Sequence, residues 1–293
     1  MLSLLDKIKT NEVIISDGAW GTFLMAKGLQ PGECPELWNI EHPEKVEEIA
    51  QSYIEVGAQI VKTNSFGGNA IKLNNYGLAH RCFELNMAAA AISRKAAGKN
   101  IIVMGSVGPT GKFLITEEVT PEELYNAFKD QCKGLEAGGA DVILVETMTD
   151  LEEAKIAILA AKENTHCEVV CTMTFDRTAD NNFRSMMGVS PTQMTEELCA
   201  LGITGLGANC GNGIDGMIHI TKEIREANAE VPVIIHANAG MPVYSDGKTV
   251  FPESPEMMAS SSHLLLKAGA NVIGGCCGTS PAHIKKLVEA LKK

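Results

Sequence analysis

The stretch Gly138–Lys162, GGADVILVETMTDLEEAKIAILAAK, decides how the rest of the chain reads. Val142–Glu146 is an unbroken apolar run that ends on a carboxylate, with no polar alternation to mark a solvent face. Strands of that kind are buried on both sides and belong to parallel sheets, whose crossovers are helices. The helix follows at once over Leu151–Lys162, and Gly138-Gly139-Ala140 just before the strand lets a preceding helix stop and the chain turn back.

The same unit recurs along the chain. Apolar runs predict strands at Val13–Asp17, Ile60–Thr63, Ile101–Ser106, Val142–Glu146, Val169–Phe175, Ile203–Asn209, Val233–Ala237 and Val272–Gly275. Helical patterns fill the gaps at Pro43–Val56, Gly67–Ala97, Pro121–Ala137, Leu151–Lys162, Thr192–Leu201, Ile214–Ala227, Pro255–Ala268 and Pro281–Leu291. Val56-Gly57-Ala58, Ala200-Leu201-Gly202 and Ala268-Gly269-Ala270 repeat the glycine return of residues 138–140. Eight strand-helix units with no antiparallel edge predict an α/β fold of the closed (β/α)8 TIM-barrel type. An open doubly wound sheet uses the same alternation and is the competing architecture. With 293 residues, 45% of them hydrophobic, the chain is expected to form one domain over 1–293.

Composition narrows the function. A net charge of -11 argues against nucleic acid as a partner. No apolar stretch reaches the length of a membrane span, so no membrane role is expected. The opening Met1–Lys7 meets charge before a long apolar region forms, so no secretory leader is expected, and the nine cysteines read as free thiols in a reducing cytoplasm.

In a barrel the chemistry gathers where strands end on the C-terminal face. Asp17-Gly18-Ala19-Trp20, Thr63-Asn64-Ser65, Ser106–Gly111, Glu146-Thr147, Asn209-Cys210-Gly211, His236–Gly240 and Gly275-Cys276-Cys277-Gly278 all fall there. Adjacent cysteines do not reach ordinary disulfide geometry with each other. Cys276 and Cys277, joined by Cys210, instead offer three thiolates to one metal, and a zinc ion held by three protein ligands keeps a position for substrate. Cys34, Cys82, Cys132, Cys167, Cys171 and Cys199 read as packing residues, and His236 as a residue behind the site rather than a fourth ligand, since a fourth ligand would close it. The glycines at 67–68 and 108–111 lack the lysine and spacing of a phosphate loop.

The motifs DGAWGT (17–22), TNSFGGN (63–69), GPTG (108–111), ET (146–147), NCG (209–211), NAGMP (238–242) and GGCCGT (274–279) together resemble the homocysteine S-methyltransferase family, and in particular the homocysteine-binding module of cobalamin-dependent methionine synthases. The resemblance covers nearly the whole chain. It implies a barrel that holds zinc through Cys210, Cys276 and Cys277 and takes the thiol of homocysteine as fourth ligand. Trp20 stands where the family often has methionine.

The chemistry is sound without the name. Only a thiolate attacks a methyl group well, and a thiol bound to zinc is deprotonated. Asp17 and Glu146 suit the substrate ammonium, and the resemblance points to the same two positions; the amides at Gly18 and Ala19 suit its carboxylate. Asn64, Ser65 and Asn238 are further substrate-binding candidates, and each has an alternative role in organising its loop. No Asp-x-His-x-x-Gly corrinoid pattern occurs in the chain. The expectation is therefore a methylcorrinoid (cobalamin) bound by a separate protein, with S-methylmethionine or betaine as alternative donors, or a subunit that works only within a larger corrinoid system.

Overall fold

The computed structural model describes residues 1–10, 13–245 and 248–292. The predicted barrel is present. Eight strands, β1 (Ile14–Ile15), β2 (Ile60–Lys62), β3 (Ile102–Val107), β4 (Val142–Met148), β5 (Glu168–Met173), β8 (Gly205–Asn209), β9 (Val233–Ala237) and β12 (Val272–Gly275), form one all-parallel sheet in the order β1-β12-β9-β8-β5-β4-β3-β2. The first and last strands of that order meet, which rules out the open sheet. Ser16 bridges Ile60 in parallel, Gln59 N–H donates to Ile15 O at 2.7 Å, and Asp17 N–H donates to Ile60 O at 3.1 Å.

Alternation along each strand sorts side chains into a barrel interior and an outer layer under the helices. Ile14, Ile60, Ile102, Met104, Val142, Leu144, Val170, Ile234 and Val272 fill the lower interior. Two residues further up each strand, the inward positions become polar: Ser16, Lys62, Ser106, Glu146, Thr172 and His236, with Asn209 paired beside His236. The barrel is thus an apolar plug below and a buried polar layer above.

A helix that the sequence pattern does not single out, Leu4–Thr10, closes the floor. Leu4 is fully buried in the interior cluster. Glu168, at the base of β5, accepts from Leu4 N–H at 2.6 Å and from Ser3 Oγ at 2.7 Å, and Asp141 accepts from Leu2 N–H at 2.7 Å.

The outer helices start as their sequences require. Thr120, Ser190 and Ser254 each accept a hydrogen bond from a backbone N–H of the first turn, and each is followed by proline. The expected long helix Gly67–Ala97 is broken into Ala70–Leu73, short turns, and Cys82–Ala97. Gly77 is the cause, because at φ 70° it takes the left-handed conformation that ends a helix. Two antiparallel strand pairs were also not foreseen. β6 (Asp176–Arg177) pairs with β7 (Phe183–Arg184) after β5, and β10 (Val243–Ser245) pairs with β11 (Lys248–Val250) after β9. No helix among the described residues is long and apolar enough to cross a membrane.

Candidate functional site

The three cysteines singled out in the sequence meet at the top of the barrel. Cys210 leaves the end of β8 and Cys276 and Cys277 leave the end of β12, and their sulfurs all lie within 4.8 Å of one another. Cys210 Sγ and Cys277 Sγ are 3.9 Å apart. Sulfurs about 2.3 Å from a tetrahedral zinc stand about 3.8 Å from each other, so the cluster has the dimensions of a three-sulfur metal site.

Backbone contacts fix this spacing. Cys276 N–H donates to Ala237 O at 2.7 Å, Ala239 N–H donates to Cys277 O at 3.0 Å, and Cys210 N–H donates to His236 O at 3.1 Å. β9 therefore ties the ends of its two neighbours together. Cys210 holds φ at 60°, a conformation a cysteine adopts only under constraint. Gly275 is needed for the approach of the last loop, since a Cβ there would lie 2.2 Å from Thr279 Oγ1.

The electrostatics suit a cation. Hydrogen bonds from Cys276 and then Cys277 draw the Cys210 thiol down to about 3, while sharing that thiolate pushes Cys276 and Cys277 up. Thiolates gathered this closely repel one another, and a divalent cation among them would relieve that repulsion. Asn238 adds a second sign. Its side chain also hydrogen-bonds Cys210, and its buried Oδ1 has no partner among the described residues.

A cavity of about 450 Å³ opens beside the sulfurs. Its inner wall includes Ala19, Lys62, Asn64, Ser65, Ser106, Glu146 and Thr147, and its outer wall Trp20, Glu36, Phe66, Lys72 and Tyr76. Of the expected anchors, Glu146 is well placed. One carboxylate oxygen accepts from Ser106 Oγ, and burial raises its pKa against the pull of Lys62 and Ser106.

Asp17 sits differently. Its carboxylate is buried outside the cavity wall, accepting at 2.7 Å from both Lys62 N–H and Trp20 Nε1 and at 3.2 Å from Ser16 Oγ. Burial raises its pKa, opposed by the Lys62 charge and these donors. Ala19 lines the cavity, but its N–H already donates to Thr279 Oγ1 at 3.0 Å; Gly18 packs behind it against Thr279 and Tyr53. Asn64 Nδ2 donates to Pro35 O and Asn39 Oδ1, and Ser65 Oγ donates to Ser106 O, so both side chains secure the loop after β2. Asn238 lies by the sulfurs rather than on the cavity wall. His236 is fully buried below, and burial, then the Lys62 charge, keeps it neutral.

The residue missed in the sequence is Lys62. Its ammonium is 3.6 Å from Asp17 Oδ1, within a residue only 4% exposed. Burial works to lower its pKa, but the charges of Asp17, Glu146, Cys276 and Cys277 together hold it above the usual lysine value. The signal was a lysine inside the otherwise apolar run Ile60–Thr63, at a position whose parity points inward.

Known proteins resemble this chain in sequence and in fold. The methionine synthase of Mycobacterium tuberculosis (strain ATCC 25618 / H37Rv) is 31% identical over 306 residues, covering 98% of this chain and 25% of that protein. The methionine synthase of Mycobacterium leprae (strain TN) is 29% identical over 299 residues, covering 96% of this chain and 24% of that protein. The chain spans about a quarter of the length of these curated relatives. Among solved structures, the metallated form of the homocysteine methyltransferase MmuM from Escherichia coli superposes with a TM-score of 0.79 at 22% identity, covering 97% of this chain and 98% of that one, a likeness of fold. The pattern of the family described as Homocysteine S-methyltransferase matches residues 14–291, and the chain belongs to that family of enzymes, which transfer methyl groups to a thiol.

Proposed function

We propose that the chain is a zinc-dependent methyltransferase. Cys210, Cys276 and Cys277 would hold the ion, and homocysteine or a related thiol would bring the fourth sulfur. The observation that carries this reading is the convergence of three sulfurs from two non-adjacent strand ends beside an open cavity. When bound, zinc would supply the Lewis acidity that removes the proton from an incoming thiol at neutral pH.

The protein's own groups do the rest. Glu146 offers its second carboxylate oxygen to the substrate ammonium. Asn209 Nδ2 lies 3.8 Å from Cys276 Sγ and orients that sulfur. Asn64 and Ser65 hold the loop that forms the cavity wall, and Asp17 steadies Trp20 and Lys62.

For the methyl donor we propose a methylcorrinoid carried by a separate protein, giving methionine. The relatives named methionine synthase, four times longer than this chain, support that choice. All nine cysteines are free, which suits a reducing cytoplasm.

The test is to supply the zinc-loaded chain and homocysteine with methylcobalamin, S-methylmethionine or betaine and to assay methionine. Product with methylcobalamin alone supports the reading. Product only with S-methylmethionine or betaine overturns the donor, and product only after a partner protein is added favours a subunit of a larger system.

A further inference from the structure

Lys62 presents a buried ammonium whose donors are unspent. Its one ionic contact, Asp17 Oδ1 at 3.6 Å, lies beyond hydrogen-bond distance, and Nζ makes no hydrogen bond among the described residues. Asp17 has no need of it for hydrogen bonding, because Ser16 Oγ, Trp20 Nε1 and the Lys62 N–H already supply its oxygens. A charge taken out of water without hydrogen-bond partners is costly, and such groups in a cavity wall face a ligand. Lys62 lines the cavity together with Glu146 and the three sulfurs.

The geometry points to Lys62 as the specificity-determining residue that recognises the carboxylate of the thiol acceptor, opposite Glu146, which takes its ammonium. This rests on the reading of the cavity as a thiol-acceptor site. The inner wall then carries one cation and one anion around the sulfur cluster, the complement of a zwitterionic amino acid. Of the two amides that would compete for that carboxylate, Ala19 N–H is already engaged by Thr279 Oγ1, and Gly18 packs behind it off the cavity wall, against Thr279 and Tyr53. Lys62 reaches the position because β2 is the strand beside β1 at the closure of the barrel. The Ser16–Ile60 bridge sets its inward side chain next to Asp17.

The experiment measures equilibrium binding to the zinc-loaded protein by calorimetry, without turnover. Three probes are used: homocysteine, mercaptobutyrate, which lacks the ammonium, and mercaptopropylamine, which lacks the carboxylate. Lys62→Met strands a buried Asp17 charge and can fail to fold, so the double variant Asp17→Asn/Lys62→Met, which removes both charges, is measured alongside. Loss of a charge-assisted hydrogen bond is expected to weaken homocysteine and mercaptobutyrate by about ten- to a hundred-fold, with mercaptopropylamine changed by less than about two-fold. An equal loss for mercaptopropylamine, or unchanged mercaptobutyrate binding, overturns the assignment. A wild-type chain that binds the thiols in this pattern yet methylates none of them would overturn the proposed function and leave the Lys62 assignment standing.

Discussion

Asn209 brackets Thr147 with a reciprocal pair of hydrogen bonds: its Oδ1 accepts from Thr147 N–H at 2.8 Å and its Nδ2 donates to Thr147 Oγ1 at 2.7 Å. Thr147 stands at φ 61°, where a β-branched residue is strained, at a break in the pairing of β4 with β5. The same asparagine accepts from Thr172 Oγ at 2.7 Å and approaches Cys276 Sγ, so one side chain joins the irregular end of β4 to the sulfur cluster. Asn209→Ala would leave the buried Thr172 hydroxyl, and the hydroxyl and amide of half-buried Thr147, without this partner. We expect a stability loss of about 3 kcal/mol in urea melts and zinc affinity lowered at least about ten-fold in chelator competition. Unchanged zinc affinity would separate Asn209 from the metal site.

Cys276→Ala and Cys277→Ala should each lose stoichiometric zinc while keeping the circular dichroism of the folded barrel, because the sulfurs lie on the face away from the sealed floor. Either variant purifying with a full equivalent of zinc would refute the ligand set. Cys210 adds a backbone test. At φ 60° glycine fits and alanine does not, so metal-free Cys210→Gly should be more stable than metal-free Cys210→Ala by about 1 kcal/mol.

Glu36 governs a pH effect. It is buried, accepts from Gly67 N–H at 2.6 Å, and burial raises its pKa against its hydrogen bonds and the Lys72 charge. A carboxyl raised in the folded state holds its proton there after the unfolded chain has released it. Stability therefore falls as pH rises from the ordinary glutamate pKa of about 4.3 through the raised folded value, by up to about 1.4 kcal/mol per pH unit, and stays lower above it. Glu36→Gln should match the wild type near pH 4 and exceed it at pH 8, in urea midpoints taken across that range. Parallel curves would exclude Glu36 as the source.

Gly108 keeps the cavity wall in place. A Cβ there would meet the Phe66 ring at 2.5 Å, and this ring, 38% exposed, can yield. Gly108→Ala should displace Phe66 with a stability change below about 1 kcal/mol, leave thiol binding within about two-fold, and slow methyl transfer several-fold. Equal damage to thiol binding would show that Phe66 reaches the acceptor.

The barrel was legible because its signals are local. Each apolar run is continuous, and the returns at Gly57, Gly139, Gly202 and Gly269 all take positive φ as the turn requires. The cysteine cluster was legible because the doublet has few other uses. Lys62 was not, since its meaning depends on Asp17 and Glu146, partners supplied by other strands. Asp17 suited an ammonium in the sequence, and in the structure the nearest ammonium is the protein's own. The break at Gly77 and the strand pairs at 176–177 with 183–184 and 243–245 with 248–250 went unseen because a helical period survives across a single glycine, and such short strands carry little pattern.

The Leu4–Thr10 stopper, latched to Glu168, has a kinetic consequence. Among the described residues it covers the apolar interior from below, so on the proposed reading both reactants would share one doorway. A thiol held by the sulfurs would sit deeper, and a bulky donor arriving above it would bar the way. Turnover should then follow a compulsory sequence: acceptor in first, donor second, and the methylated product released only after the spent donor has withdrawn.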